Sequence, residues 1–448
     1  MKLHHFTHNS KLIKSKAKDP LFKLVGIAMG LSLATFLATY FYTAILTNIL
    51  DIATYGVYAT IISTVFTLYL VLLLGVDQGL IAFVPDMVEK GDLHSVGTYL
   101  VYSRHRTIFQ LCLIFVVSLF FVLGIYEFHF IPKNSMSVVI SYLWICPVGA
   151  MLWFIGCYMQ ARNYANTSLL ILDLLPAILL LLVLLIFEWF HLKLDLFGAI
   201  IITLLTMVLA FICGWLFCKI KKIIPESIAP LRQATTQWNQ KNFDLYIILL
   251  VTYTPSTLVI ILAQFLSPHA ETAAIISVLV TISNIIFVIF SAISAVYTPK
   301  ISTAVTDLNI ATIKSLLTQS TLLTLIAGAI PTFIVIFFGK FWLGQFGKEY
   351  LVAYVPLIVI TLVNYINIVL SPFQFVAQYS RDLRSITWVA LVFFIFFIGL
   401  SIVGDRYFDV MGSMLAYGVL FVGFWIYLFF LVVLNWKKLF TATPIQSS

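Results

Sequence analysis

Twelve apolar runs leave this chain few ways to fold: they lie near 22–48, 57–83, 107–125, 136–158, 168–187, 196–218, 244–266, 273–297, 317–338, 351–375, 386–403 and 410–434. Runs of roughly 20 apolar residues match the thickness of a bilayer's hydrocarbon core when helical. In lipid every backbone amide needs a partner within the protein, which a helix supplies from its own segment. Only 10% of the 448 residues are charged, against about a quarter in a soluble domain. The expected fold is an all-α polytopic membrane protein with about 12 transmembrane helices.

The pattern is written twice. GVDQGLIAFVPDMVEKGDL at 75–93 ends the second run, leaves the membrane at Pro85 and closes on Asp92-Leu93. AISAVYTPKISTAVTDL at 292–308 ends the eighth run in the same way, with Pro299 and Asp307-Leu308 in the matching places. Six runs precede the basic stretch 219–242 and six follow it. An even number per half gives parallel repeats related by an axis along the membrane normal. The expected organisation is a tail at 1–21, a six-helix lobe at 22–218, a linker at 219–242, a second six-helix lobe at 243–434 and a tail at 435–448. After Pro299, the helical spacing of Ile301, Val305, Leu308 and Leu316 predicts a surface helix on the cytoplasmic face.

The net charge of +8 follows this topology rather than a nucleic-acid surface: 21 of the 26 Lys and Arg residues fall on the side of the N-terminus. Both termini are therefore expected in the cytoplasm. The first apolar run is too long for a cleaved signal, so its basic leader reads as a retained tail. The five cysteines show no CxxC and no histidine spacing for a metal, and read as small buried apolar groups. There is no nucleotide-binding loop or catalytic constellation. No cofactor, metal or nucleic-acid partner is expected, and the chain reads as a transporter rather than an enzyme.

Polar residues form stripes. Span one carries Ser32, Thr35, Thr39, Thr43 and Thr47, and span two Thr60, Thr64 and Thr67, at spacings of three and four that share one helix face. Span seven gives Thr252, Ser256 and Gln264, and span eight Ser277, Thr281, Asn284 and Ser291. An offset of 217 carries Thr35 to Thr252, Thr39 to Ser256, Thr60 to Ser277, Thr64 to Thr281 and Thr67 to Asn284. Two readings stand: hydroxyls that let helices pack closely, or four stripes lining one polar cavity where repeats meet. Pro147, Pro176, Pro255, Pro331 and Pro356 interrupt spans and are either bending points or ordinary kinks.

Asp77 and Asp173 are the acidic residues inside spans, clear of the residues that bound them. An intramembrane carboxylate is a functional candidate by default, as a proton or cation site. The alternative pairs each with Arg104, Arg106 or Arg162 at the inner interface.

LDIATYGVYATIIS at 50–63, GVDQGLIAFVPDMVEKGDL, and GKFWLGQFGKEYLVAYVPLIVI at 339–360 resemble the polysaccharide biosynthesis, O-antigen translocase-type flippases. The resemblance implies a two-lobed transporter of the multidrug/oligosaccharidyl-lipid/polysaccharide superfamily in the bacterial inner (plasma) membrane. Such a protein moves an undecaprenyl-diphosphate-linked glycan from the inner to the outer leaflet, among membrane lipids, with polymerase and assembly proteins as partners. It implies a cleft lined by the leading helices of each lobe. Many relatives carry a basic residue where this chain has Ala82, and place Arg or Lys in the cavity. The nearest cations here are Arg104, Arg106, Arg162, Lys300 and Arg381, which read equally as topology-setting charges. The glycan is then neutral, or its diphosphate is held at the cytoplasmic rim.

Other classes leave different marks. A multidrug and toxin extrusion antiporter has the same spans and needs a cavity carboxylate, which spans one and seven lack but Asp77 and Asp173 would supply. A lipid II flippase would add two spans, and a membrane glycosyltransferase or polymerase a long external loop; neither is visible.

Overall fold

The computed structural model describes residues 20–89, 93–127, 141–162, 164–221, 235–306, 309–379 and 383–434, and these form helices joined by short turns, without a strand. The first span is one helix, α1 (Pro20–Ile49). The second is split into α2 (Ile52–Leu73) and α3 (Val76–Glu89). The first half continues with α4 (Leu93–Glu127), α5 (Cys146–Ala161), α6 (Ala165–Trp189) and α7 (Leu196–Ile220). In the second half, span seven is α8 (Thr235–Tyr253) with α9 (Pro255–Leu266), and span eight is α10 (Thr272–Ser283) with α11 (Ile285–Thr306). Spans nine and ten are α12 (Ile310–Gly344) and α13 (Tyr354–Tyr379).

The last two spans share one helical assignment, α14 (Leu383–Leu434), but Asp409 leaves helical geometry (φ 46°, ψ −135°). A Cβ placed on Gly404 would stand 2.8 Å from the Gly412 carbonyl carbon. Residues eight apart on a straight helix are about 12 Å apart, so the chain reverses here, and the closeness of the arms admits only glycine. With this hairpin divided, all twelve expected spans are present.

Side-chain caps fix where several helices start. Asp51 accepts from the Thr54 amide (3.0 Å), Asp195 from Gly198 (2.8 Å) and Asn309 from Thr312 (3.1 Å), each satisfying an amide that the first turn leaves free. The Thr54 hydroxyl and amide hold the Asp51 carboxyl below the usual carboxylate range. Helices α4 and α12 begin 217 residues apart, at the offset of the polar stripes.

The halves meet along a seam with the symmetry of the repeat. Helix α1 packs on α11, α2 on α9 and α10, and α3 on α8. Exchanging the halves turns the contact between spans one and eight into that between spans seven and two, as an axis along the membrane normal requires.

Proline acts differently from place to place. Span seven bends by 59° at Pro255; a proline has no amide to donate to the preceding turn, and the Thr254 hydroxyl donates to the Leu250 carbonyl beside it (2.7 Å). Pro147 and Pro176 each follow a π-helical turn, Ser141–Ile145 and Leu170–Leu174. Such a widened turn relieves the clash between the ring and the preceding carbonyl. Pro356 lies in the first turn of α13, where a missing amide is harmless, and Pro331 lies inside the continuous α12. Of the expected bending points, Pro255 alone sits at one of the two sharply bent helix pairs among the described residues, the other (41°) being at Asn284.

Span two is interrupted at Leu74 (φ 48°) and Gly75 (φ 76°), and α3 runs on through Pro85 to Glu89. One expectation is corrected. The segment after Pro299 is no separate surface helix: α11 continues to Thr306, and α12 starts at Ile310. Ile301 and Val305 are buried and extend the face that buries Ile286 and Ile293, so their helical period belongs to the span itself. Of the expected linker, 235–242 is the start of α8 and 222–234 lies outside the described residues, as do 1–19, 435–448 and Arg381.

Candidate transport seam

Call the side on which α1 starts the near side. Hydrogen bonds between neutral groups join the lobes from one side to the other. The hydroxyls of Ser32 and Ser291 meet at 2.9 Å, Thr67 and Thr257 at 2.7 Å, and Tyr55 and Ser277 at 3.1 Å. Thr60 donates to the Gln264 side-chain oxygen (3.4 Å), and Tyr246 to the Val71 carbonyl (2.9 Å). On the far side span one is clasped to the end of span nine: Tyr40 donates to the Trp342 carbonyl (3.2 Å) and Asn48 to that of Gln345 (2.9 Å). On the near side the repeat-related pair is used, with Tyr99 of α4 donating to the Asn242 side chain of α8 (3.2 Å).

The stripes divide by what their hydroxyls reach. Thr60, Thr67, Gln264 and Ser277 bridge the lobes. Thr35, Thr64, Thr252 and Thr281 donate back to the carbonyl four residues earlier, and Ser256 to that of Tyr253 at 3.4 Å. A hydroxyl bonded this way keeps its lone pairs for another donor. Thr43 is buried, Thr39 half-buried, and Asn284 exposed at the bend of span eight. Residues from both halves thus meet on one seam.

The near-side clasp explains the break in span two. A Cβ on Gly75 would stand 2.8 Å from the Tyr246 Cβ, and one on Gly79 would overlap the Tyr99 hydroxyl and the Asn242 amide. Gly75 also takes a positive φ of 76°, which glycine adopts without strain. The two glycines, four residues apart, open a groove into which α8 sinks Asn242, 2% exposed. Trp238, one turn earlier, packs edge-on to Tyr99 (5.0 Å) and beside Tyr102 (5.6 Å).

The first lobe buries a carboxylate. Asp77 is fully enclosed and accepts from the Trp153 indole (2.9 Å) and the Gln78 amide (3.1 Å), both on Oδ2. Its Oδ1 has no partner among the described residues. No ion pair joins it to Arg104, Arg106 or Arg162 among the described residues, so the expected pairing at the interface is replaced by neutral donors. Asp173 lies in the π-helical turn of α6. Tyr69, Cys157 and Tyr253 stand within electrostatic reach of both carboxylates, so Asp77 and Asp173 share one neighbourhood. Trp153 also meets Tyr253 of the other lobe edge-on (6.3 Å), two residues before Pro255. Arg104 and Lys300 are exposed, and Arg162 ends α5. The sequence pattern missed Tyr99, Trp153, Trp238, Asn242 and Tyr246; the spacing of Gly75 and Gly79 was the readable sign of the close approach that positions Asn242.

No family model and no curated protein matches the sequence. Solved structures do match. An inward-facing multidrug resistance MATE family transporter of the MOP superfamily superposes with a TM-score of 0.67 at 14% identity, covering 94% of this chain and 100% of the other. The chain has the MATE transporter fold. A mutant of the Vibrio cholerae MATE transporter VcmN gives 0.64 at 14% identity, over 93% of this chain and 100% of that one. An outward-facing MATE family transporter gives 0.59 at 14% identity, over 93% and 97%. At these identities the likeness is one of fold.

Proposed function

We propose that this chain is an alternating-access flippase that carries a lipid-linked, undecaprenyl-diphosphate oligosaccharide from the inner to the outer leaflet of the bacterial plasma membrane. The near side is then the cytoplasm, and surface-polysaccharide polymerase and assembly proteins are its partners. The observation that carries the reading is the set of neutral bridges across the seam: hydroxyls, amides and carbonyls of the two halves meet there in hydrogen bonds that use no charged group. A sugar chain presents many hydroxyls, each expensive to leave unpaired in hydrocarbon. Groups that both donate and accept, as Thr, Ser and Gln do, exchange bonds with one another for bonds with sugar. The lipid tail stays in the bilayer while the lobes rock, and no covalent step is needed. The resemblance to inward-facing and outward-facing transporters alike supports alternating access.

A cation-coupled multidrug antiporter is the second reading, favoured by the enclosed Asp77, by its neighbour Asp173, and by the fold. Deletion of the gene separates the two. The flippase predicts lost surface polysaccharide with lipid-linked glycan retained on the cytoplasmic side, both restored by the gene. Normal surface glycan with raised sensitivity to cationic drugs would replace that reading with the antiporter.

A further inference from the structure

The far-side hairpin that joins spans eleven and twelve encloses another carboxylate, which the transport seam does not use. Asp405 lies just past the expected end of span eleven; it is fully enclosed, as is Ser401 one turn deeper on the same face. The Ser413 hydroxyl of span twelve donates to Asp405 Oδ1, so that face looks into the hairpin. Asp405 Oδ2 and Ser401 Oγ have no partner among the described residues. We infer that the hairpin binds a small monovalent cation, with Asp405 as its charged ligand and Ser401, Ser413 and the Asp409 carbonyl as neutral ones. The inference holds for a flippase and an antiporter alike.

The backbone favours positive charge here. Asp409 leaves helical geometry, so the last carbonyls of span eleven have no following turn to bond. They form the negative end of a helix, and broken helix ends of this kind coordinate small cations in membrane proteins. The Asp409 carbonyl oxygen lies 3.5 Å from the Ser413 hydroxyl. Gly404 and Gly412 let the arms close around this point: a Cβ on Gly412 would overlap the Gly404 carbonyl.

Charge selects the ion. A carboxylate held away from water without a counter-charge is costly. No ion pair joins Asp405 to a Lys, Arg or His among the described residues: Arg406 is exposed, and the His269 imidazole stands 3.4 Å from Asp409 Oδ2 instead. Asp409 Oδ1 accepts from the Ser267 hydroxyl (2.8 Å), so this second carboxylate is engaged outside the hairpin. One free carboxylate balances one positive charge, whereas a divalent ion would carry a surplus into the enclosed site. A ligand set of oxygens alone suits hard cations.

Position links the ion to transport. Ser267 belongs to the turn between α9 and α10, in the bent spans that line the seam, and Thr272 at the start of α10 meets its hydroxyl (2.8 Å). Asp409 thus offers its carbonyl to the cation and its side chain to that turn. A bound ion joins the far-side ends of spans seven, eight, eleven and twelve into one unit.

The test uses the full chain in phosphatidylcholine nanodiscs, with radioactive sodium as the probe and the melting temperature compared between sodium chloride and choline chloride. Sodium should bind saturably and raise the melting temperature. Asp405→Asn is expected to weaken binding about tenfold or more, the loss of a charged partner. Ser401→Ala deletes a hydroxyl that bonds nothing, so in choline it should melt no lower than wild type and yet bind sodium severalfold more weakly. It serves if the first variant does not fold. Glu188→Gln, which removes an exposed far-side carboxylate, should bind as wild type. Equal stability in both salts without saturable binding would overturn the inference and make Asp405 a protonated acid. Wild-type affinity in both Asp405→Asn and Ser401→Ala would put the sodium elsewhere. Full displacement by a far lower concentration of calcium would make the site divalent and sink the charge argument.

Discussion

Asp77 gives its enclosed carboxyl two neutral donors, and removing either side of that contact tests a different thing. Trp153→Phe keeps the ring packing and deletes the indole N–H, leaving the carboxylate with Gln78 alone. An enclosed acceptor that loses its donor costs roughly 1–3 kcal/mol, so the purified protein should melt at a lower temperature. Asp77→Asn keeps an acceptor for the indole and removes the charge. An unpaired charge is costly to hold away from water and an isosteric amide carries none, so the melting temperature should hold or rise. Transport should nevertheless fall severalfold if the carboxylate works in the cycle; wild-type transport would make Asp77 a structural residue. Gly79→Ala is expected to cost about 1–3 kcal/mol by overpacking the clasp, and to raise protease sensitivity of the near-side end of α8, which wild type should resist.

Breaks and bends distinguish the elements of the two halves more than their lengths do. Span one is a continuous α1, whereas its partner, span seven, turns by 59° at Pro255; span two breaks at Leu74–Gly75, whereas span eight bends at Asn284, whose repeat mate is Thr67. Pro255→Ala restores the missing amide donor and should straighten span seven, pulling Tyr253 away from Trp153. The expected result is a protein as stable as wild type with impaired glycan export; unimpaired export would leave the bend without a role. Span number, repeat offset and the faces bearing hydroxyls were legible, because apolar length and helical period are local properties. The bends were legible only in part: a proline marks a missing donor, but whether a π-turn absorbs it, as before Pro147 and Pro176, depends on the neighbouring helices. Leu74 in a left-handed conformation has no signature in its own side chain. Which hydroxyls bridge was hidden too, since Thr64 and Thr60 share a face but only Thr60 meets the other lobe.

At the scale of the molecule, eight hydrogen bonds between neutral groups span the seam described above. In membrane proteins such bonds average about 0.6 kcal/mol, so together they hold the lobes by about 5 kcal/mol. A differential affinity of about 5.5 kcal/mol carries a two-state equilibrium from 1:99 to 99:1, so a ligand that replaces these bonds can drive the opening. The far side offers a direct test, because a Cβ on Gly56 would lie 3.5 Å from the Ala274 Cβ, within the span of a disulfide. Gly56→Cys with Ala274→Cys, in a background lacking the native cysteines, should cross-link under oxidation and halt export until reductant is added; export by the cross-linked protein would show that this contact need not open. The same arithmetic of spans bears on descent. A half with six spans returns to the side it entered, so two copies joined end to end both keep their orientation with no added span. A half-length ancestor could therefore have worked as a pair of identical subunits, and the differing breaks of spans two and eight are a divergence that identical subunits could not show.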